Sequence, residues 1–133
     1  MNKRFWLSAL VIFAVSMLTD FVLHGLLLHG DYAQIPNLMR TETDSQQYFP
    51  LMLLAHVFMA AAFVWIYQRG RQDKAWLGQG LRFGLVVAFL TVVPTYMIYY
   101  AVQPLPGLLV MKQIAFDLIR TAGLGVIVAW MLR

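Results

Sequence analysis

Four long apolar stretches dominate the sequence, and each is long enough to cross a bilayer. They run from about Phe5 to Leu28, Phe49 to Tyr67, Leu81 to Val102 and Leu108 to Leu132. A spanning helix needs about 20 residues at a rise of about 1.5 Å each. None of the stretches alternates apolar with polar residues, and a membrane barrel needs at least about eight strands. The pattern predicts an all-α integral membrane protein, with four transmembrane helices in one up-down-up-down bundle covering residues 1–133. Composition agrees: 61% of residues are hydrophobic and 12% charged, with a mean hydropathy of +0.69. Soluble domains average about 45–50% apolar and about 25% charged, so a soluble globular domain and a disordered chain are both excluded. With no cysteine, disulfides, iron–sulfur ligation, thiolate zinc sites and cysteine nucleophiles are excluded too.

The first stretch has features of a signal peptide, with basic Lys3 and Arg4 and a passable cleavage site at Ala14-Val15-Ser16. Its apolar run nevertheless continues past Asp20 through Leu28, which predicts an uncleaved first helix. Basic residues set the orientation. Lys3, Arg4, Arg69, Arg71, Lys74, Arg82 and Arg133 fall on one side, whereas Arg40 and Lys112 share the other with Asp31, Glu42 and Asp44. Both termini are therefore expected in the cytoplasm. Trp6, Trp65, Trp76 and Trp130 gather at that face, and Tyr32, Tyr48, Tyr96, Tyr99 and Tyr100 at the outer one, as interfacial aromatics do. The +4 charge is thus a topology signal and not a nucleic-acid surface. The outer loop, residues 30–48, is polar and is expected to hold a short interfacial turn around Ile35, Leu38 and Met39.

Ionisable residues inside spans are costly and normally face the bundle interior. Ser16, Asp20 and His24 recur every four residues and share one helix face. The second helix offers His56, the third Thr91, Thr95 and Tyr99, and the fourth Gln113, Asp117, Arg120 and Thr121. Counting residues from the outer boundary brings Asp20, His24, His56, Thr95, Tyr99, Asp117 and Arg120 to one polar cluster in the outer half.

Several readings fit such a cluster. As a structural network, Asp117 would pair with Arg120, Asp20 would accept from Arg120, and His24 would bond to Asp20. As a cofactor site, His24 and His56 would ligate a haem axially, or the His and Asp set would hold a divalent metal, although no metal-motif spacing is present. As a small proton-coupled transporter, the chain would use an intramembrane carboxylate. Four helices with a carboxylate in the first resemble the small multidrug-resistance exporters, but the strong charge bias and Arg120 depart from that pattern. No phosphate loop, nucleophile elbow or other catalytic signature appears, so enzyme activity has no support in the residues. Gly80 with Gly84, and Gly125 with Ala129, are small-xxx-small steps suited to close helix contact, within the bundle or in a dimer.

The stretch Asp20-Phe21-Val22-Leu23-His24-Gly25-Leu26-Leu27-Leu28, the polar loop with Tyr32 and Arg40, Gly80-Leu81-Arg82-Phe83-Gly84 and Val102-Gln103-Pro104-Leu105-Pro106 together resemble a family of small four-helix bacterial inner-membrane proteins. The resemblance implies a multi-pass inner-membrane location and assigns neither an activity nor a functional residue. The residues and the resemblance together predict a non-enzymatic accessory or partner-binding subunit, with the bilayer and a homodimer or larger membrane complex as partners. A haem- or metal-binding redox protein using His24 and His56 is the alternative, and the transporter the third.

Overall fold

The computed structural model describes residues 1–133, and it is all-helical. Helix α1 spans Lys3–Asp20 and continues as a wide π-type helix over Phe21–Leu27; α2 is His29–Ala33 and α3 is Glu42–Gln46. Helices α4 (Phe49–Gly70), α5 (Trp76–Val102) and α6 (Gly107–Leu132) complete the chain. Four helical stretches, Lys3–Leu27, α4, α5 and α6, are long and apolar enough to cross a membrane.

The long helices exceed their sequence-predicted ends mainly where polar residues continue the helical turn. Helix α4 carries Gln68 and Arg69 on to Gly70, and α5 starts at Trp76 and not at Leu81. The early start of α5 has a packing cause: Gly80 is buried against α6, so Gly78-Gln79-Gly80 is helix and not loop. Local signals fix other ends. The Asn2 side chain accepts from the Phe5 amide at 3.0 Å, capping α1, and Thr41 accepts from the Asp44 amide at 3.2 Å, capping α3. The loop over residues 30–48 is more structured than a single turn, with α2, a 3₁₀ turn at Pro36–Leu38 and α3.

Packing is uneven around the bundle. Helices α5 and α6 form the tightest pair, because Gly84 and Gly125 let the backbones touch. A Cβ built on Gly84 would lie 2.5 Å from the Thr121 carbonyl oxygen and 2.7 Å from Ala122 Cα. The small-residue steps thus serve an intramolecular contact. Helix α1 packs on α4 and α6, giving the order α4–α1–α6–α5 around the bundle. The main core fills the end that holds the termini, from Phe5 and Ile12 of α1, Phe63, Val64 and Tyr67 of α4, and Leu124, Val128 and Leu132 of α6. At that end α4 and α5 meet through Phe63 and Tyr67 against Phe83, with ring centroids 4.7 and 5.3 Å apart. At the opposite end they leave a cleft. A second, small core of Leu28, Ile35 and Leu109 seats the loop over residues 30–48 on α6, reinforced by Lys112 Nζ at 3.0 Å from Asp31.

Candidate functional site

The residues between α1, α5 and α6 at the loop-bearing end form one continuous polar network. His24, in the π-type turn, is its hub. Its Nδ1 lies 2.6 Å from the Tyr32 hydroxyl and its Nε2 lies 3.1 Å from Asp117 Oδ2. Donor bookkeeping orders the chain. Gln113 Nε2 donates to the Tyr32 oxygen at 3.0 Å, which leaves the Tyr32 hydrogen for His24 Nδ1. His24 Nε2 then carries the proton that it donates to Asp117. The Tyr96 hydroxyl donates to the same Asp117 oxygen, and Arg120 Nη1 approaches Asp117 Oδ1 at 3.5 Å. Every group around Asp117, whose side chain is 6% exposed, thus donates to it.

Arg120 is held from α1. Its Nε donates to Thr19 Oγ1 at 2.9 Å and its Nη2 to the Ser16 carbonyl at 3.0 Å. These bonds fix the guanidinium between the two carboxylates, 3.8 Å from Asp20 Oδ1.

Asp20 is different. It accepts no hydrogen bond from the protein: the nearest donors are His24 Nε2 at 3.7 Å and Arg120 Nη2 at 3.8 Å. Its other oxygen faces His56 Nε2 at 3.7 Å. His56 Nδ1 lies 2.8 Å from the Met52 carbonyl, which can only accept, so Nδ1 carries a proton. Its Nε2 faces the carboxylate oxygen from beyond hydrogen-bond distance. The two groups leave a gap that a further polar group can fill. That gap opens on a cavity of about 310 Å³ between α4 and α5, lined by Asp20, His56, Thr95, Tyr99, Asp117 and Arg120.

No family model, curated protein or solved structure matches this chain.

All seven sequence-predicted site residues therefore meet at one place, in two roles. Asp20, His24, His56, Asp117 and Arg120 form the charged heart of the site. Thr95 and Tyr99 line the cavity wall without bonding to the network. The residue of α5 that reaches Asp117 is Tyr96 and not Tyr99, because the Thr91–Thr95–Tyr99 stripe turns toward the cleft, with all three residues exposed. Tyr32 and Thr19 also belong to the network. The expected His24–Asp20 hydrogen bond is replaced by His24–Asp117, and the two groups remain as a looser pair at 3.7 Å.

The donor set bears on the cofactor readings. A bis-histidine haem needs two free nitrogens facing across a porphyrin. Both His24 nitrogens are engaged, and the Asp20 carboxylate lies between the two imidazoles. The residues do not fit a haem. One ligand atom each from Asp20, His24 and Asp117 lies within 4.8 Å of the others, a set suited to a small divalent cation, against which the Arg120 charge acts.

Proposed function

We propose that this chain is a small multi-pass protein of the bacterial inner membrane, with both termini cytoplasmic. It acts as a non-enzymatic accessory subunit that binds a partner through the cleft between α4 and α5. The spanning reading rests on exposure: only 6% of the apolar window of α5 is buried within the chain. In water such a surface would far exceed the few hundred Å² that soluble monomers leave exposed, whereas lipid covers it at no cost. The positive-inside rule supplies the orientation.

One observation carries the binding reading. Asp20, a carboxylate in an apolar bundle, is held only by loose contacts of 3.7–3.8 Å to His24, His56 and Arg120, and it faces an open cleft. Partners beyond hydrogen-bond distance leave part of its accepting capacity unmet, which is unfavourable in hydrocarbon. The group it awaits is a hydrogen-bond donor, such as a hydroxyl, amide or ammonium on a partner helix, entering sideways between α4 and α5. The opposite half is closed by the Phe5–Ile12–Phe63–Val128 core, so the site opens on one side alone, which weighs against a through-going transport path. A divalent cation on Asp20, His24 and Asp117 is the second reading, favoured by their 4.8 Å grouping.

The absence of cysteine gives a clean test. A single cysteine in place of Thr95 is expected to resist a small maleimide in native membranes and to react after purification, while one in place of Asp73 reacts in both. Equal reactivity of residue 95 in both preparations would mean that nothing occupies the cleft. A reporter fused after residue 133 checks orientation, and a periplasmic signal from it would overturn the topology.

A further inference from the structure

We infer that the terminal end of the α4–α5 face is a binding site for the phosphate headgroup of an anionic phospholipid. The inference rests on the four helices crossing a bilayer. A second cavity, of about 460 Å³, lies where the last turn of α4 meets the first turns of α5. Arg71, Lys74 and Arg82 stand around it, and Ile66, Phe83 and Val86 form its apolar wall. No acidic residue lines it. Asp73, in the same loop, lines the neighbouring cavity beside Arg133.

The connection that shapes this cavity is held in place. Gln79 Oε1 accepts from the Gln72 amide at 2.7 Å, and its Nε2 donates to the Gln72 and Lys74 carbonyls, each at 2.8 Å. Arg71 donates to the Leu132 carbonyl at the end of α6, which anchors its guanidinium at the rim. The Lys74 and Arg82 side chains have no hydrogen-bond or ion-pair partner in the protein. Three positive charges thus surround an open space that no carboxylate lines, and none of them is ion-paired, although Asp73 shares the adjoining cavity with Arg71 and Lys74.

The surroundings select a lipid over a free anion. Trp65, Trp76 and Trp130 ring this end of the bundle, with Arg69 stacked 4.7 Å from the Trp65 ring and Arg133 5.7 Å from that of Trp130. Such a belt of Trp and Arg marks the membrane–water boundary, the depth of the phospholipid phosphate. Ile66, Phe83 and Val86 then continue from the headgroup position into the apolar layer, as an acyl chain requires. Basic pockets between helices on the cytoplasmic side recognise anionic headgroups in this way, and a zwitterionic lipid would bring its own cation against the three already there.

The test uses the full chain purified in mild detergent, titrated with phosphatidylglycerol or phosphatidylcholine and read by native mass spectrometry. Phosphatidylglycerol is expected to be retained in preference. Arg82→Gln should weaken that retention about fivefold, and Lys74→Gln with Arg82→Gln about thirtyfold. Lys74→Arg with Arg82→Lys should retain it, which separates charge from fold. Equal retention of the two lipids, or an unchanged double variant of native helicity, overturns the proposal. Displacement by inorganic phosphate at matched concentration would assign the cavity to a free anion instead. Extraction of the protein from membranes by alkaline carbonate would show, separately, that the spanning reading had failed.

Discussion

His24 and Asp117, 93 positions apart in the chain, lie 3.1 Å from one another in the interior of the bundle. Their contact ties the wide turn that follows α1 to the last helix, and Tyr96 brings in α5 through the same carboxylate oxygen. Asp117→Asn keeps the shape of this junction and removes the charge that three donors face. Interhelical hydrogen bonds in membranes average about 0.6 kcal/mol, and a broken buried ion pair costs about 3–5 kcal/mol. Asp117 accepts several bonds, but Arg120 keeps Asp20 at 3.8 Å as a second carboxylate, so about 2 kcal/mol is expected between those limits. Unfolding by sodium dodecyl sulfate in mixed micelles reads it, and an unchanged midpoint would show that the junction adds nothing to stability.

Arg120 offers a sharper comparison. Its removal alone, as Arg120→Met, leaves Asp117 and Asp20 near each other with no permanent cation between them. Removing both members of the pair, as Asp117→Leu with Arg120→Met, eliminates one of the two carboxylates so exposed and leaves Asp20 alone. The double variant should therefore cost less than the sum of the singles, with a coupling of about 1–3 kcal/mol. Strict additivity in the same unfolding assay would mean that the pair does not act as a unit.

The α5–α6 contact gives a prediction independent of charge. A methyl group added at Gly84 would meet the Thr121 carbonyl at 2.5 Å, backbone that cannot rotate away, whereas one added at Gly123 meets nothing within 4 Å. Gly84→Ala is expected to destabilise by about 1–3 kcal/mol, as overpacking does. Gly123→Ala should be neutral or slightly stabilising through helix propensity. Similar midpoints for the two variants would show that the helices do not approach as closely as described.

Much of this was legible in the sequence because hydrophobic length and charge bias are additive signals. Four apolar runs give four helices, and four-residue spacing with counted depth brings Asp20, His24, His56, Asp117 and Arg120 together. What escaped depends on small rotations. The i→i+5 bond from Leu28 to the Leu23 carbonyl, 2.9 Å long, marks a turn that no apolar pattern announces. On α5 one residue is about 100° of rotation, and that step decides whether Tyr96 or Tyr99 enters the network. Tyr32 sits in a polar loop, where an aromatic reads as an interfacial anchor. Only the seating of Ile35 on Leu28 and Leu109 turns it inward.

Tyr32 also carries a pH dependence. It lies outside the four long apolar helices, and burial pushes its phenol above the ordinary value of about 10. The Gln113 hydrogen bond works the other way, and the charges of Asp117, Asp20 and Asp31 add to the rise. A phenol raised in the folded state contributes stability that is fully present below pH of about 10 and is lost as pH climbs through the folded value. Melting temperature should thus fall above pH of about 10 more steeply in the wild type than in Tyr32→Phe. Equal slopes for the two proteins would show that the Tyr32 proton is not linked to folding.

The histidines make the last prediction, because haem ligation demands what this site does not supply. Axial coordination needs an unshared Nε2 pair on each ring and a porphyrin-wide slot between them. His24 spends Nδ1 on Tyr32 and Nε2 on Asp117, and the Asp20 carboxylate occupies the space toward His56. Freeing His24 would strip Asp117 of one of its donors inside the bundle, an uphill change before any iron–nitrogen bond forms. Protein purified from haem-replete cells is therefore expected to show no Soret band, air-oxidised or dithionite-reduced. A band that shifts on reduction and vanishes in both His24→Ala and His56→Ala would prove the opposite, and with it a rearrangement of the Tyr32–His24–Asp117 chain.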